Sequence, residues 1–216
     1  VLTLSLALSS LAAVAKASEI QFYEISSEII DNKITKNAVT IALIPGAKTL
    51  EYPILSDVTE FNWKANFQAN CTMVRKTASS LISCDVSSIN ATARTLYFNY
   101  LATGSVREIE KNNRWLYSYN YLTSVPVSAL SVMIKLPEGT VLVEKETNET
   151  ITGLLPFSPT DGDKRTDGRR IMLEWNRNNL TAGENLGFSV FYEVVTPTGI
   201  SPVIMGFIAL LGGLVL

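Results

Sequence analysis

Side-chain polarity alternates residue by residue along five separate stretches of this chain, and that period of two constrains its fold more than any other feature. Val39, Ile41 and Leu43 form one apolar set, and Leu96, Phe98 and Tyr100 a second. Leu130, Val132, Ile134 and Leu136 form the clearest one. Ile171, Leu173 and Trp175 follow, then Leu186, Phe188, Val190, Tyr192 and Val194. Successive side chains of a strand point to opposite faces, so each run reads as a half-buried strand. Pro45-Gly46, Pro137-Glu138-Gly139 and clusters of Asn and Asp separate the runs as turns. No long stretch between residues 18 and 198 combines a period of 3.6 with capping residues. The expected fold class is therefore all-β: an antiparallel β-sandwich, as one large sandwich or two small packed ones. The segment 123–127, with Pro126, is a possible internal boundary. There is no sequence repeat.

The two cysteines fix a register. If residues 67–88 form a hairpin turning about Thr77-Ala78, Cys71 faces Cys84, Met73 faces Ile82 and Ala69 faces Val86. Those six side chains share one face. Asn70 then meets Asp85, and Thr72 meets Ser83, on the other. One register separates apolar from polar residues, as a half-buried antiparallel pair requires. Directly opposed strand positions lie within disulfide range, so a Cys71–Cys84 bridge is expected. Closing a loop of this size stabilises by about 3 kcal/mol in the chain-entropy model. Two buried thiols are the alternative.

Both ends of the chain point to a membrane. Residues 1–15 are uncharged, and Ala15-Lys16-Ala17 follows as an A-x-A cleavage pattern. Residues 1–17 therefore read as a secretory signal peptide whose basic n-region precedes the recorded start; a retained N-terminal anchor is the alternative. Residues 199–216 read as a transmembrane helix. Their last seventeen carry no charge and would span roughly 25 Å as a helix, against about 30 Å of hydrocarbon. The expectation is a truncated span continuing past Leu216, with a buried core helix or a lipid-anchor signal as alternatives. Residues 18–198 would then lie outside the cytoplasm.

Composition narrows the chemistry. Apolar residues make up 47% and charged residues 18%, where soluble domains carry about a quarter charged. The chain has no histidine and only two cysteines. That excludes a Ser-His-Asp triad, a Cys-His dyad, a His-ligated metal and a structural zinc site. A net charge of −2 is a poor match to a nucleic-acid backbone. No nucleotide-binding fingerprint or nucleophile elbow is present, so no catalytic residue, cofactor or metal is expected. Asp161, Asp163 and Asp167 invite a calcium reading. Arg165 occupies the position where an EF-hand needs its fifth-position ligand, and no Glu closes the loop. A solvated hairpin loop fits better.

Two sets of surface candidates remain. Four N-x-T sequons, at Asn70, Asn90, Asn148 and Asn179, are possible glycosylation sites in an exported chain. Trp115, Tyr117, Tyr119 and Tyr121 alternate on one strand face. That stripe would either stack a sugar ring or grip a protein partner, or form an interior wall between sandwich halves.

The runs LPEGTVL (136–142), DGRRIMLEW (167–175) and GFSVFYEV (187–194), leading into the apolar C-terminal segment, resemble archaeal single-pass membrane surface proteins. That resemblance implies a β-sandwich ectodomain on one C-terminal helix. In some such proteins a winged-helix DNA-binding domain follows the helix. The aromatic stretch WLYSYNYLTSVPVSALSVMIKLPEG (115–139) resembles the luminal region of ribophorin-type oligosaccharyltransferase subunits, where such a stretch links two β-domains. The expected function is a non-catalytic binding, adhesive or structural role at the cell surface, with a protein or glycan partner. The alternatives are the sensor ectodomain of a membrane-bound regulator, or an accessory subunit of a membrane glycosylation complex.

Overall fold

A computed structural model describes residues 20–76, 79–87, 93–110, 114–143 and 162–195 of the chain. The elements in chain order are β1 (Ile20–Ile29), β2 (Ile34–Leu43), β3 (Thr49–Ile54), β4 (Asp57–Ala65), β5 (Asn70–Lys76), β6 (Ser79–Asp85) and β7 (Arg94–Thr103), then β8 (Val106–Glu110), β9 (Arg114–Leu122), β10 (Val127–Lys135), β11 (Thr140–Leu142), β12 (Asp163–Thr166), β13 (Ile171–Leu180) and β14 (Asn185–Val194). The described chain is all-β. Its strands form a seven-stranded sheet ordered β12-β13-β10-β1-β2-β7-β4, a four-stranded sheet ordered β11-β14-β9-β8, and a three-stranded sheet ordered β3-β6-β5.

The seven-stranded sheet makes one layer, and the two smaller sheets together cover its inner face. Over the β13 and β1 side lies the four-stranded sheet: Trp175 of β13 meets Phe188 of β14 at 5.4 Å between ring centroids, and Tyr23 of β1 meets Tyr121 of β9 at 5.3 Å. Over the β7 side lies the three-stranded sheet, whose Tyr52 sits 6.0 Å from Phe98 and 6.5 Å from Tyr100. The buried apolar side chains of all three sheets form a single cluster. Val39, Ile41, Leu43, Leu96, Phe98, Tyr100, Leu130, Val132, Ile134, Leu136, Leu173 and Trp175 all point into it, so the period of two marks the inner face strand by strand. Thr123–Pro126 carries the chain from β9 in the small sheet to β10 in the large one.

One pairing departs from the antiparallel expectation. β1 runs parallel to β10, with Tyr23 opposite Leu130 and Ile25 opposite Val132, so the large sheet is mixed. Parallel neighbours cannot share a hairpin. These two strands lie about a hundred positions apart in the sequence, where no local turn signal reports them.

The β5–β6 hairpin has the register that the cysteines require. Cys71 pairs with Cys84, Met73 with Ile82, Asn70 with Asp85 and Thr72 with Ser83. The bridge is formed, with Cα atoms 4.0 Å apart. Cys71, Ile82 and Cys84 are buried, while Asn70 and Asp85 are exposed.

At the other edge, Gly162 precedes β12 against the face of a core aromatic. A Cβ there would lie 2.7 Å from Trp175 Cε2 and 2.8 Å from its Nε1. The ring cannot yield, because it is itself buried against Phe188. Gly162→Ala is expected to cost about 1–3 kcal/mol, the usual range for overpacking, read as a lower urea midpoint at unchanged slope. An unchanged midpoint would show that the start of β12 moves aside freely.

Candidate functional site

The aromatic stripe occupies the seam where the three sheets meet. β9 is paired along its length with β14, with Tyr119 opposite Phe188 and Tyr117 opposite Val190. The face carrying the tyrosines turns toward the large sheet. Tyr117, Tyr119 and Tyr121 are buried, and Trp115 is half-buried, with an enclosed Nε1 that has no hydrogen-bond partner. The three tyrosines therefore have no surface on which to stack a sugar or meet a partner: the stripe is interior wall.

Of its hydroxyls, that of Tyr119 joins a small buried network, and that of Tyr117 is buried with no hydrogen-bond partner among the described residues. The Tyr52 and Tyr119 hydroxyls lie 2.5 Å apart, and Tyr52 and Tyr100 hydroxyls 3.4 Å apart, so one phenol from each sheet meets at Tyr52. Beside it lies a second polar group. Ser27 Oγ donates to Asn37 Oδ1 at 2.6 Å, and Asn37 Nδ2 donates to Thr35 Oγ1 at 3.1 Å. The Thr35 hydroxyl donates to the Ala102 carbonyl at 3.3 Å. Buried polar groups are tolerated where they satisfy one another. Burial raises the hydroxyl pKa of Tyr23, Tyr52, Tyr100, Tyr117, Tyr119, Tyr121 and Tyr192 above the usual 10, with neighbouring hydroxyls and charges acting second. The site holds neutral phenols at any physiological pH. It offers neither an open nucleophile nor an acid–base pair.

Arg94, for which alternation gave no role, is buried at the first position of β7. Its Nη1 donates to the Ala47 carbonyl at 3.0 Å and the Val86 carbonyl at 2.7 Å, and its Nη2 donates to the Ile44 carbonyl. The guanidinium also lies 5.9 Å from the Phe67 ring centroid. These carbonyls come from the β2–β3 connection and from the end of β6, where the chain passes between the large sheet and the three-stranded one. The signal that could have found it is an isolated Arg inside the apolar phase of a strand.

The charged loop is a hairpin. Residues 163–166 pair with 171–174, and the stretch Asp163–Arg169 is exposed. Asp167 Oδ1 accepts from the backbone N–H of Arg169 at 2.9 Å and of Arg170 at 2.8 Å. Those two bonds hold its carboxyl below the usual range. Arg170 pairs with Glu28 and lies 3.6 Å from Glu138. Among the described residues no group of three metal-ligating side chains comes together. Asp161 lies outside them.

Two sequons are described, and in both the Asn is exposed. Asn70 opens β5. Asn179 sits at φ 57°, in the left-handed region that Asn tolerates better than most residues, and the Thr181 hydroxyl donates to Glu184 at 3.3 Å. Asn90 and Asn148 lie outside the described residues. So do the expected signal peptide (1–17) and the expected transmembrane segment (199–216). Among the described residues no helix is long and apolar enough to cross a membrane.

No protein-family model matches the chain, and no curated protein matches it. Solved structures share a distant likeness. An M1 zinc metallopeptidase from Deinococcus radiodurans is 11% identical with a TM-score of 0.43, over 81% of this chain and 42% of that one. Leukotriene A4 hydrolase from Saccharomyces cerevisiae is 13% identical with a TM-score of 0.45, over 80% of this chain and 28% of that one. The chain thus spans less than half the length of either protein, and a likeness this distant assigns it no activity.

Proposed function

We propose that this protein is a membrane-anchored, extracytoplasmic β-sandwich with a non-catalytic binding or structural role at the cell surface. The observation that carries the reading is the Cys71–Cys84 bridge, because disulfides persist in exported proteins and are rare in the cytosol. The uncharged segments at the two ends supply the route and the anchor: an export signal before β1 and a membrane span after β14. The buried tyrosine seam supports a structural role for the stripe, so recognition falls to the outer surface. That surface carries the exposed sequons and the charged β12–β13 hairpin.

Fractionation tests the anchor. The full chain is expected in the membrane pellet after alkaline carbonate washing, and a variant lacking residues 200–216 in the soluble fraction. A full chain released by carbonate, or a tail-less variant that stays in the pellet, would contradict it.

A further inference from the structure

We propose that formation of the Cys71–Cys84 bridge and glycosylation of Asn70 are competing events, so that disulfide closure switches the Asn70 sequon off. The inference rests on the export reading above and concerns the order of two modifications within it.

Cys71 is the middle residue of Asn70-Cys71-Thr72. In the folded hairpin the sequon's three residues pair with Asp85, Cys84 and Ser83 of β6. Cys71 points into the core, and its sulfur is bonded to Cys84. The Thr72 hydroxyl is turned across the hairpin toward the Ser83 carbonyl, at 3.5 Å. A glycosyl transferase that reads Asn-x-Thr must hold the Asn amide and the Thr hydroxyl together and wrap the backbone between them. The closed hairpin denies it that backbone, although the Asn70 side chain itself is exposed. Asn179-Leu180-Thr181 sits at the end of β13, where Leu180 is buried and paired with Val127 and Thr181 lies just past the strand, and no covalent bond locks it. Of the two described sequons, the one at Asn70 alone has a redox lock.

The two reactions are chemically independent. In closure, the two thiols lose two electrons and two protons to a disulfide oxidant of the exporting compartment, which leaves as a dithiol. In glycosylation, the Asn70 amide nitrogen bonds to the anomeric carbon of a lipid-diphosphate-linked oligosaccharide. The bond from that carbon to the diphosphate breaks, the lipid diphosphate leaves with the electron pair, and the amide proton passes to a base. Their timescales overlap. Cys84 follows Cys71 by 13 residues, about one to three seconds of synthesis, and disulfide formation takes seconds or longer. Thr72 is therefore available at least until Cys84 emerges, and after that for as long as closure is delayed.

The test is glycopeptide mass spectrometry of the full chain purified from the membrane fraction of a host with N-glycosylation, as wild type, Cys84→Ala and Arg94→Met. The expected result is low occupancy at Asn70 in the wild type, a severalfold rise in Cys84→Ala, and no comparable rise at Asn179. Arg94→Met weakens the fold with the bridge intact and is expected to leave Asn70 low. Equal rises at Asn70 and Asn179, or an equal rise at Asn70 in Arg94→Met, would overturn the coupling and assign the effect to slower folding in general. Full Asn70 occupancy in the wild type, with the bridge formed, would also overturn it. Absence of glycan from every sequon in every variant would instead overturn the export reading, and the coupling with it.

Discussion

Raising the pH past about 10 is expected to unfold this protein steeply, because the unfolded chain then releases phenolic protons that the fold retains. Seven tyrosines have folded-state pKa values raised by burial. For a group raised in this way, stability is fully present below the unfolded pKa, near 10, and falls as pH rises above it toward the folded pKa. Each such tyrosine contributes a slope of up to about 1.4 kcal/mol per pH unit. Seven together approach roughly 10 kcal/mol per unit, comparable with the whole stability of an ordinary domain. Through the neutral range the chain has no histidine to titrate, so stability is expected to be nearly flat between about pH 6 and pH 9. Urea midpoints across this range, with tyrosinate absorbance followed in parallel, check the claim. Absorbance and unfolding should rise together. Tyrosinate from several of the chain's eight tyrosines, appearing gradually near pH 10 in a protein that stays folded, would contradict the buried seam.

Arg94→Met is the second large effect. Methionine keeps much of the side-chain length but leaves the Ile44, Ala47 and Val86 carbonyls without the guanidinium they share. Leaving a buried acceptor unsatisfied costs about 1–3 kcal/mol, so losing the donor that these three carbonyls share is expected to cost about 3–5 kcal/mol in all. With a urea slope of about 2 kcal/mol per molar, the midpoint is expected to fall by about 1.5–2.5 M. Arg94→Lys should recover only part of the loss, since one ammonium cannot reproduce the planar fork. A Met variant as stable as the parent would show that water satisfies these carbonyls equally well.

These two sites mark where sequence reasoning stops. The alternating runs located the core faces of β2, β7, β10 and β13, because each of those strands has one drier and one wetter face; in β14 the apolar run also marks buried positions, although Leu186 to Val190 are buried on both faces. The Cys71–Cys84 register was legible because a hairpin is local and one alignment sorts every side chain. β1 was not legible. A bulge between Ile20 and Phe22 shifts its phase, and Ser27 stands at an inward position as part of a hydrogen-bonded polar group. Its parallel partner β10 is remote in the chain. Arg94 was hidden for a related reason. Its partners are backbone carbonyls, which every sequence has, so their convergence depends on the path of the chain and not on residue type. The aromatic stripe was visible as a stripe, but alternation alone cannot tell an inner face from a binding face. What decides between them is the seven-stranded sheet lying over it.

The most direct test of the account is labelling intact cells with a membrane-impermeant amine reagent and mapping the modified lysines. Lys48, Lys64 and Lys164 are exposed on the sandwich. Modification of all three without lysis is the expected result. Modification that appears only after the cells are opened would contradict the placement of this domain outside the membrane.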